Sequence, residues 1–184
     1  MVRLPYDDRR FDQEGELALV IGREARHVTA EAALSHVFAY TCLLDITMRG
    51  GEDRSTRKSF DTFTPIGPWL VTPDEVGELG ALRLECGVNG VPRQDASIAE
   101  LIWGVPKLIA YVSSVMTLLP GDVITTGTPA GVGTINDGDT IAVTISRVGT
   151  LAVSVSDAGA RHCPTLGAKR GPVPPAGVRP VRPR

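Results

Sequence analysis

The sequence predicts a mainly β domain of the α+β class, with mixed sheets and two or three helices among about eight short strands. Three observations lead there. Twenty glycines and fourteen prolines stand against only four Phe, three Tyr and two Trp in 184 residues, a turn-rich balance that disfavours a helical bundle. Short apolar runs end at glycine, and Asn89-Gly90 separates two strand-like segments. Helices and strands do not alternate as βαβ units, which argues against a doubly wound nucleotide-binding fold.

Taken in order, Glu16 to Ile21 is a compact apolar run stopped by Gly22 and reads as a strand. Thr29 is placed to cap a helix over about residues 30–40, with Ala32, Ala33, Val37 and Phe38 facing inward. A second apolar run, Cys42 to Ile46, encloses Asp45, and the polar residues 47–58 read as a loop. Pro65, Gly67 and Pro68 make the stretch from Phe60 to Val71 an irregular or edge strand. Leu82 to Val88 and Val91 to Gln94 form a hairpin, because Asn89-Gly90 supplies the two positive φ values of a type I′ turn. Ser97 and Glu100 have capping-box spacing for a helix from Ile98, kinked or restarted at Pro106 and running to about Leu118. Asp122 to Thr126 is a short strand, and Gly127 to Gly133 a glycine-rich loop. That loop lacks the Lys-Ser/Thr of a P-loop and the spacing of a dinucleotide fingerprint. Thr140 to Ser146 and Thr150 to Val155 make a last hairpin across Gly149. Residues 158–184 hold six of the fourteen prolines and read as a tail with little structure.

Composition narrows the functional classes. The chain is 42% apolar and 22% charged, as in ordinary soluble domains. All 21 acids and 13 of the 19 bases precede residue 158, so that body carries −8 while the six remaining bases lie in the tail. An acidic body argues against nucleic acid as the partner. No apolar run reaches the roughly 20 residues of a membrane helix, and the N-terminus has no apolar signal core. Cys42, Cys86 and Cys163 are odd in number and widely spaced, as expected of reduced thiols in a cytoplasmic protein.

The acids carry the chemical signal. Glu14 and Glu16 flank Gly15 at the mouth of the first apolar strand, and residues i and i+2 share one side of a strand. Alone, the pair is compatible with a solvated strand end or with a cation site. Asp45 adds weight to the second reading, since an ionised carboxylate within Cys42-Leu-Leu-Asp-Ile-Thr47 is costly unless paired or metal-bound. A bond to Arg49 is one solution. The other is a third oxygen ligand for a hard divalent ion, Mg2+, Mn2+ or Ca2+, which suits a chain with three His and three Cys better than zinc does. Arg49, Arg54, Arg57 and Lys58 follow Asp45 closely, either as a solvated basic loop or as cations facing an anionic substrate. Thr128 lies in the glycine-rich loop, where its hydroxyl and neighbouring amides are candidates to bind a carboxylate.

Taken together, these segments resemble the fumarylacetoacetate hydrolase family. The matching residues are Glu14-Gly-Glu-Leu-Ala-Leu-Val-Ile-Gly22, Asp45, Arg57-Lys-Ser-Phe-Asp-Thr-Phe-Thr-Pro-Ile-Gly-Pro68, Val88-Asn-Gly90 and Pro120-Gly-Asp-Val-Ile-Thr-Thr-Gly-Thr-Pro-Ala-Gly-Val-Gly133. They follow the family's order and spacing over about residues 12–155. The resemblance implies a mixed-sheet β-roll and a Mg2+- or Mn2+-dependent enzyme that forms a homodimer. Its expected substrates are 2-oxo or enol dicarboxylic acids from aromatic-compound catabolism. It assigns Glu14, Glu16 and Asp45 as metal ligands, Lys58 and Arg49 as catalytic cations, and Thr128 as a substrate contact. The segment Arg49-Gly-Gly-Glu-Asp-Arg-Ser55 is closest to members that isomerise 2-hydroxyhepta-2,4-diene-1,7-dioate or decarboxylate related acids. It places Glu52 where many members have a substrate-contacting Gln.

Family members usually carry a further segment, with a first strand and a lid bearing a His and a Glu, before the Glu-x-Glu strand. Only 13 residues precede Glu14 here, so the expectation is a catalytic domain over 1–157 without that lid, followed by the basic tail 158–184. The first functional reading is an isomerase or decarboxylase working through an enolate. The alternatives are an acylpyruvate-type C–C hydrolase, a hydratase-like lyase, a catalytically impaired metal-binding subunit, and a binding module without metal.

Overall fold

In the computed structural model, which describes residues 1–165, the chain opens with strands β1 (Val2–Arg3), β2 (Arg10–Gln13) and β3 (Gly15–Ile21). A single helical turn, α1 (Ala30–Ala33), and a 3-10 turn (Leu34–His36) lead into β4 (Val37–Leu44), β5 (Thr47–Arg49) and α2 (Arg54–Lys58). Next come β6 (Ile66–Val71), α3 (Pro73–Val76) and the hairpin β7 (Arg83–Val88) and β8 (Val91–Ser97). Helix α4 (Val105–Val115), β9 (Val123–Thr125), β10 (Gly133–Ile135), β11 (Thr140–Ile145) and β12 (Gly149–Ser156) complete the order.

The strands form three sheets, ordered β1-β12-β11-β7-β8, β10-β2-β5 and β6-β4-β3-β9. The β1–β12 pair is parallel and the rest antiparallel, so the architecture is the expected mainly β one with mixed pairing. Every residue of β3 is buried, because β4 and β9 pair with its two edges and its two faces meet the core. That is why β3 reads as an apolar run and not as an alternating strand. Leu17, Leu19 and Ile21 join β4, β7 and β11 residues in one core, each contributing about 1.5–3 kcal/mol by burial. Beneath β2, Phe11 packs edge-on against Phe63, which meets Phe60 and through it Tyr6.

Several elements match expectation. Asn89 and Gly90 have φ of 53° and 75°, as the hairpin turn requires. Among the described residues strand β6 pairs only with β4 and is an edge. Others need correction. The helix expected over residues 30–40 stops at Ala33, and a strand begins at Val37. Val-Phe-Ala-Tyr-Thr-Cys-Leu-Leu is pulled into the sheet by pairing with both β3 and β6, and this outweighs the weak helical pattern. Ala32 and Phe38 are exposed as a result, not inward. The expected loop 47–58 holds β5 and α2, whose cap Asp53 accepts from the Thr56 amide at 3.0 Å. Ser97 caps only a 3-10 turn, Ile98–Glu100, and the main helix restarts at Val105 with Pro106 in its first turn.

Residues 158–165, which open the expected tail, are tied to the N-terminal segment. Arg161 donates to the Pro5 carbonyl at 3.0 Å, the Cys163 amide donates to Asp8 at 2.9 Å, and Cys163 is buried. Residues 166–184, the rest of that expected tail, lie outside the described residues. Among the described residues no helix is long and apolar enough to cross a membrane.

Candidate metal centre

The strand register builds the centre. Gly15 pairs with Leu44, and the Asp45 amide donates to the Glu14 carbonyl at 2.8 Å, so the residue after β4 meets the residues that open β3. Alternation along the strand brings Glu14 and Glu16 together. Carboxylate oxygens of Glu14, Glu16 and Asp45 lie within 4.8 Å of one another. Glu14 is 8% exposed and Glu16 3%, while Asp45 is half-buried.

Two cations brace these acids. Lys58, at the end of α2, donates to Glu14 Oε2 at 2.8 Å and to Asp45 Oδ2. Arg49, at the end of β5, donates from Nη2 to Glu14 Oε1 at 2.7 Å and from Nε to Asp12 Oδ2 at 2.6 Å. Asp12 is 1% exposed and also takes Arg10 Nε at 2.7 Å. Among the described residues Glu16 has no cation of its own; its Oε2 accepts from the Gly127 amide at 2.8 Å.

The electrostatics follow from this layout. Burial raises the Glu16 carboxyl to about 7, helped by the charges of Asp45 and Glu14 and opposed by the Gly127 amide and Lys58. Burial raises Asp45 as well, against the pull of Lys58. Burial pushes the Lys58 ammonium down, but its bonds to Asp45 and Glu14 outweigh that and the net direction is up. Asp12, whose burial pushes upward, ends below its ordinary range because Arg10 and Arg49 hold it ionised. Among the described residues four carboxylates thus face three cations, and both Glu16 and Asp45 resist ionisation, Glu16 without a cation bonded to it.

That arrangement fits a divalent ion. The donors are all oxygens, as Mg2+, Mn2+ and Ca2+ prefer, and no His or Cys belongs to the group. Glu14, Glu16 and Asp45 would hold the ion, while Lys58 and Arg49 keep it flanked by positive charge.

The other two sequence candidates fall differently. Thr128 is close by, but its hydroxyl donates its one proton to the Gly15 carbonyl at 2.9 Å and accepts from Gln94 Nε2 at 2.7 Å. It braces the strand between the two glutamates. Glu52 stands apart from the cluster: Oε1 accepts from the Thr165 hydroxyl at 2.7 Å, which lowers its carboxyl. Thr165 is in turn held by Arg9 through its carbonyl.

Three residues escaped the sequence reading. Asp12 sits two residues before Glu14, a spacing that would have marked it had β2 been recognised. Gln13 is buried and accepts from the Gly133 amide at 3.1 Å while donating to the Gly131 carbonyl at 3.1 Å. Gln94, on the return strand of the Asn89-Gly90 hairpin, gives no sequence signal at all. Beyond the loop lies a cavity of about 600 Å³ walled by Leu101, Ile102, Trp103, Thr128 and Pro129 among others.

Comparison with known proteins identifies the family. The sequence profile described as fumarylacetoacetate (FAA) hydrolase C-terminal matches residues 1–156. A maleylpyruvate hydrolase of Aquipseudomonas alcaligenes is 49% identical over 154 residues, covering 84% of this chain and 54% of that one. A crystal structure of maleylpyruvate hydrolase from Sphingobium sp. SYK-6, in complex with manganese(II) and pyruvate, superposes with a TM-score of 0.81 at 45% identity, covering 85% of this chain and 58% of that one. The 2-hydroxyhepta-2,4-diene-1,7-dioate isomerase of Mycobacterium marinum gives a TM-score of 0.82 at 42% identity, covering 86% and 63%. This chain spans about half the length of the first curated relative. It belongs to the fumarylacetoacetate hydrolase C-terminal family.

Proposed function

We propose that this member of the family uses a divalent ion, Mg2+ or Mn2+, to process 2-oxo or enol acids through an enolate. The observation that carries the reading is the triad of buried Glu14 and Glu16 with half-buried Asp45, with Lys58 and Arg49 bonded to its edge. An ion bound there supplies a Lewis acid that draws electron density from a 2-oxo group. Lys58 and Arg49 place positive charge beside any oxygen that becomes anionic as C3 loses its substituent. The Gly127 amide orients Glu16, and Asp12 keeps Arg49 aimed at Glu14.

The same enolate serves C–C hydrolysis, isomerisation and decarboxylation. Similarity to two maleylpyruvate hydrolases supports hydrolysis of an acylpyruvate with release of pyruvate. The loop Arg49-Gly-Gly-Glu-Asp-Arg-Ser55 and the likeness to the Mycobacterium marinum isomerase support isomerisation as the second reading. The test is a panel of acylpyruvates, oxaloacetate and enol dicarboxylates with Mn2+, Mg2+ or chelator. Turnover that needs the ion and falls at least roughly 100-fold in Asp45→Ala is expected. Metal-independent turnover, or unaltered Mn2+ affinity in Asp45→Ala, would overturn the assignment.

A further inference from the structure

Gly15 is the residue between the two glutamates, and both of its peptide groups are held by side chains. Its N–H donates to Gln94 Oε1 at 2.9 Å, and its carbonyl accepts from the Thr128 hydroxyl at 2.9 Å. Gln94 Nε2 closes the circuit by donating to Thr128 Oγ1 at 2.7 Å, and also reaches the Pro129 carbonyl at 2.9 Å. Three hydrogen bonds therefore form a ring through Gly15, Gln94 and Thr128. Gln94 is 1% exposed, so its amide has no water to fall back on.

The ring has a geometric cause. An added Cβ at Gly15 would stand 2.8 Å from the Cys86 Cβ, so β7 presses directly on the strand that carries the glutamates. Gln94 is the cross-strand partner of Cys86 in the β7–β8 hairpin. The hairpin thus delivers one small side chain to pack on Gly15 and one amide to bind it. The loop that receives the other end of that amide begins with Gly127, the donor to Glu16.

We propose that Gln94 is a positioning residue of the metal centre: by tying Gly15 to Thr128 and Pro129 it fixes the spacing of Glu14 and Glu16 and the Gly127 amide bonded to Glu16. Its hydrogen bonds go to Gly15, Thr128 and Pro129 and not to the three carboxylates, so it acts through the backbone that carries them. Residues that orient metal ligands in this way typically change metal affinity 10- to 100-fold when replaced. The inference rests on the functional reading above for its metal-affinity and kinetic parts, and on geometry alone for the hold on Gly15 and the loop.

The experiment uses the 184-residue chain with Gln94→Met, which keeps the volume and removes the hydrogen bonds. Thr128→Val breaks the same ring from its more accessible side and serves if Gln94→Met does not fold. Mn2+ alone is the first probe, by calorimetric titration. A rise in Kd of at least about tenfold is expected in either variant, with no further rise when the two are combined, since both open one ring. Amide exchange gives an independent readout, with Gly15 and Gly127 expected to lose protection together in Gln94→Met. On whichever acid the unaltered protein turns over, KM is expected to rise more than kcat falls. An Mn2+ affinity within twofold of the unaltered protein, additive effects of the two substitutions, or unchanged Gly127 protection would each overturn the proposal. If the unaltered chain binds Mn2+ but turns over nothing in the panel, the reaction assignment fails while the titrations still decide the role of Gln94. If it binds no Mn2+, the functional reading fails, and Gly127 protection still decides whether Gln94 holds the loop.

Discussion

Arg49 bridges two acids of different character: its Nη2 lies 2.7 Å from Glu14 Oε1, and its Nε lies 2.6 Å from Asp12 Oδ2. Glu14 faces the other carboxylates of the centre, whereas Asp12 is buried behind it with Arg10 as a second partner. Asp12 is the anchor and Arg49 the arm.

Replacing Asp12 by Asn should therefore act at a distance. It leaves Arg49 without its charged anchor and a buried site partly satisfied, at a cost of about 1–3 kcal/mol in unfolding free energy. Urea denaturation measures this directly. Arg49→Met should cost a similar amount, and the double variant less than the sum of the two, because they share one interaction.

Metal affinity should rise with pH across neutrality. Glu16 is raised to about 7 from 4.5, so below pH 7 an incoming ion must displace its proton. Mn2+ titrations in two buffers of different ionisation enthalpy should show proton release on binding at pH 6.5 that fades by pH 8.5. Glu16→Gln removes the release and weakens binding.

The same carboxyl makes a prediction for the metal-free protein. A raised acid pKa means the folded state binds more protons than the unfolded chain between pH 4.5 and 7. This group's contribution to stability is thus present at low pH and is lost as pH climbs through that window, by up to about 3 kcal/mol. Urea midpoints followed over pH 5 to 8 should fall less steeply in Glu16→Gln than in the unaltered protein.

Lys58→Met should separate binding from chemistry. The ammonium bonds Glu14 and Asp45, so its removal takes away a competitor for their oxygens and should not weaken Mn2+ binding. It also takes away positive charge from the reacting centre, and kcat should fall on the order of 100-fold or more. A tenfold loss of Mn2+ affinity with kcat retained would contradict this division.

Gly15→Ala tests the packing. Its Cβ would lie 2.8 Å from the Cys86 Cβ, backbone-bound carbon against backbone-bound carbon, so neither can swing away. The expected loss is about 1–3 kcal/mol of stability by denaturant midpoint.

Much of this site was legible in the sequence because strand alternation is local. Glu14 and Glu16 announce themselves by their spacing, and Asp45 by its apolar neighbours. Lys58 was legible as one of four cations following Asp45 and was singled out among them only by resemblance, since its approach to Glu14 depends on α2, in a stretch that reads as a loop. Asp12 was hidden because β2 is four residues long and gains its strand geometry from pairing with β5 and β10, not from its own pattern. Gln94 was hidden more deeply: nothing local distinguishes a buried glutamine that binds distant backbone from an exposed one on a hairpin. The helix expected over residues 30–40 failed for the same reason, as pairing with β3 and β6 overruled local pattern.

Residues 12–16 carry one further implication, for folding kinetics. Consecutive side chains and peptides in this short stretch find partners 37, 120, 44, 79 and 111 positions away, in Arg49, Gly133, Lys58, Gln94 and Gly127. Contacts of such sequence separation close late, because each must first overcome the entropy of a long loop. The ion site cannot mature in a partly assembled chain, and Mn2+ uptake during refolding should lag behind the gain of β structure and coincide with completion of the native state.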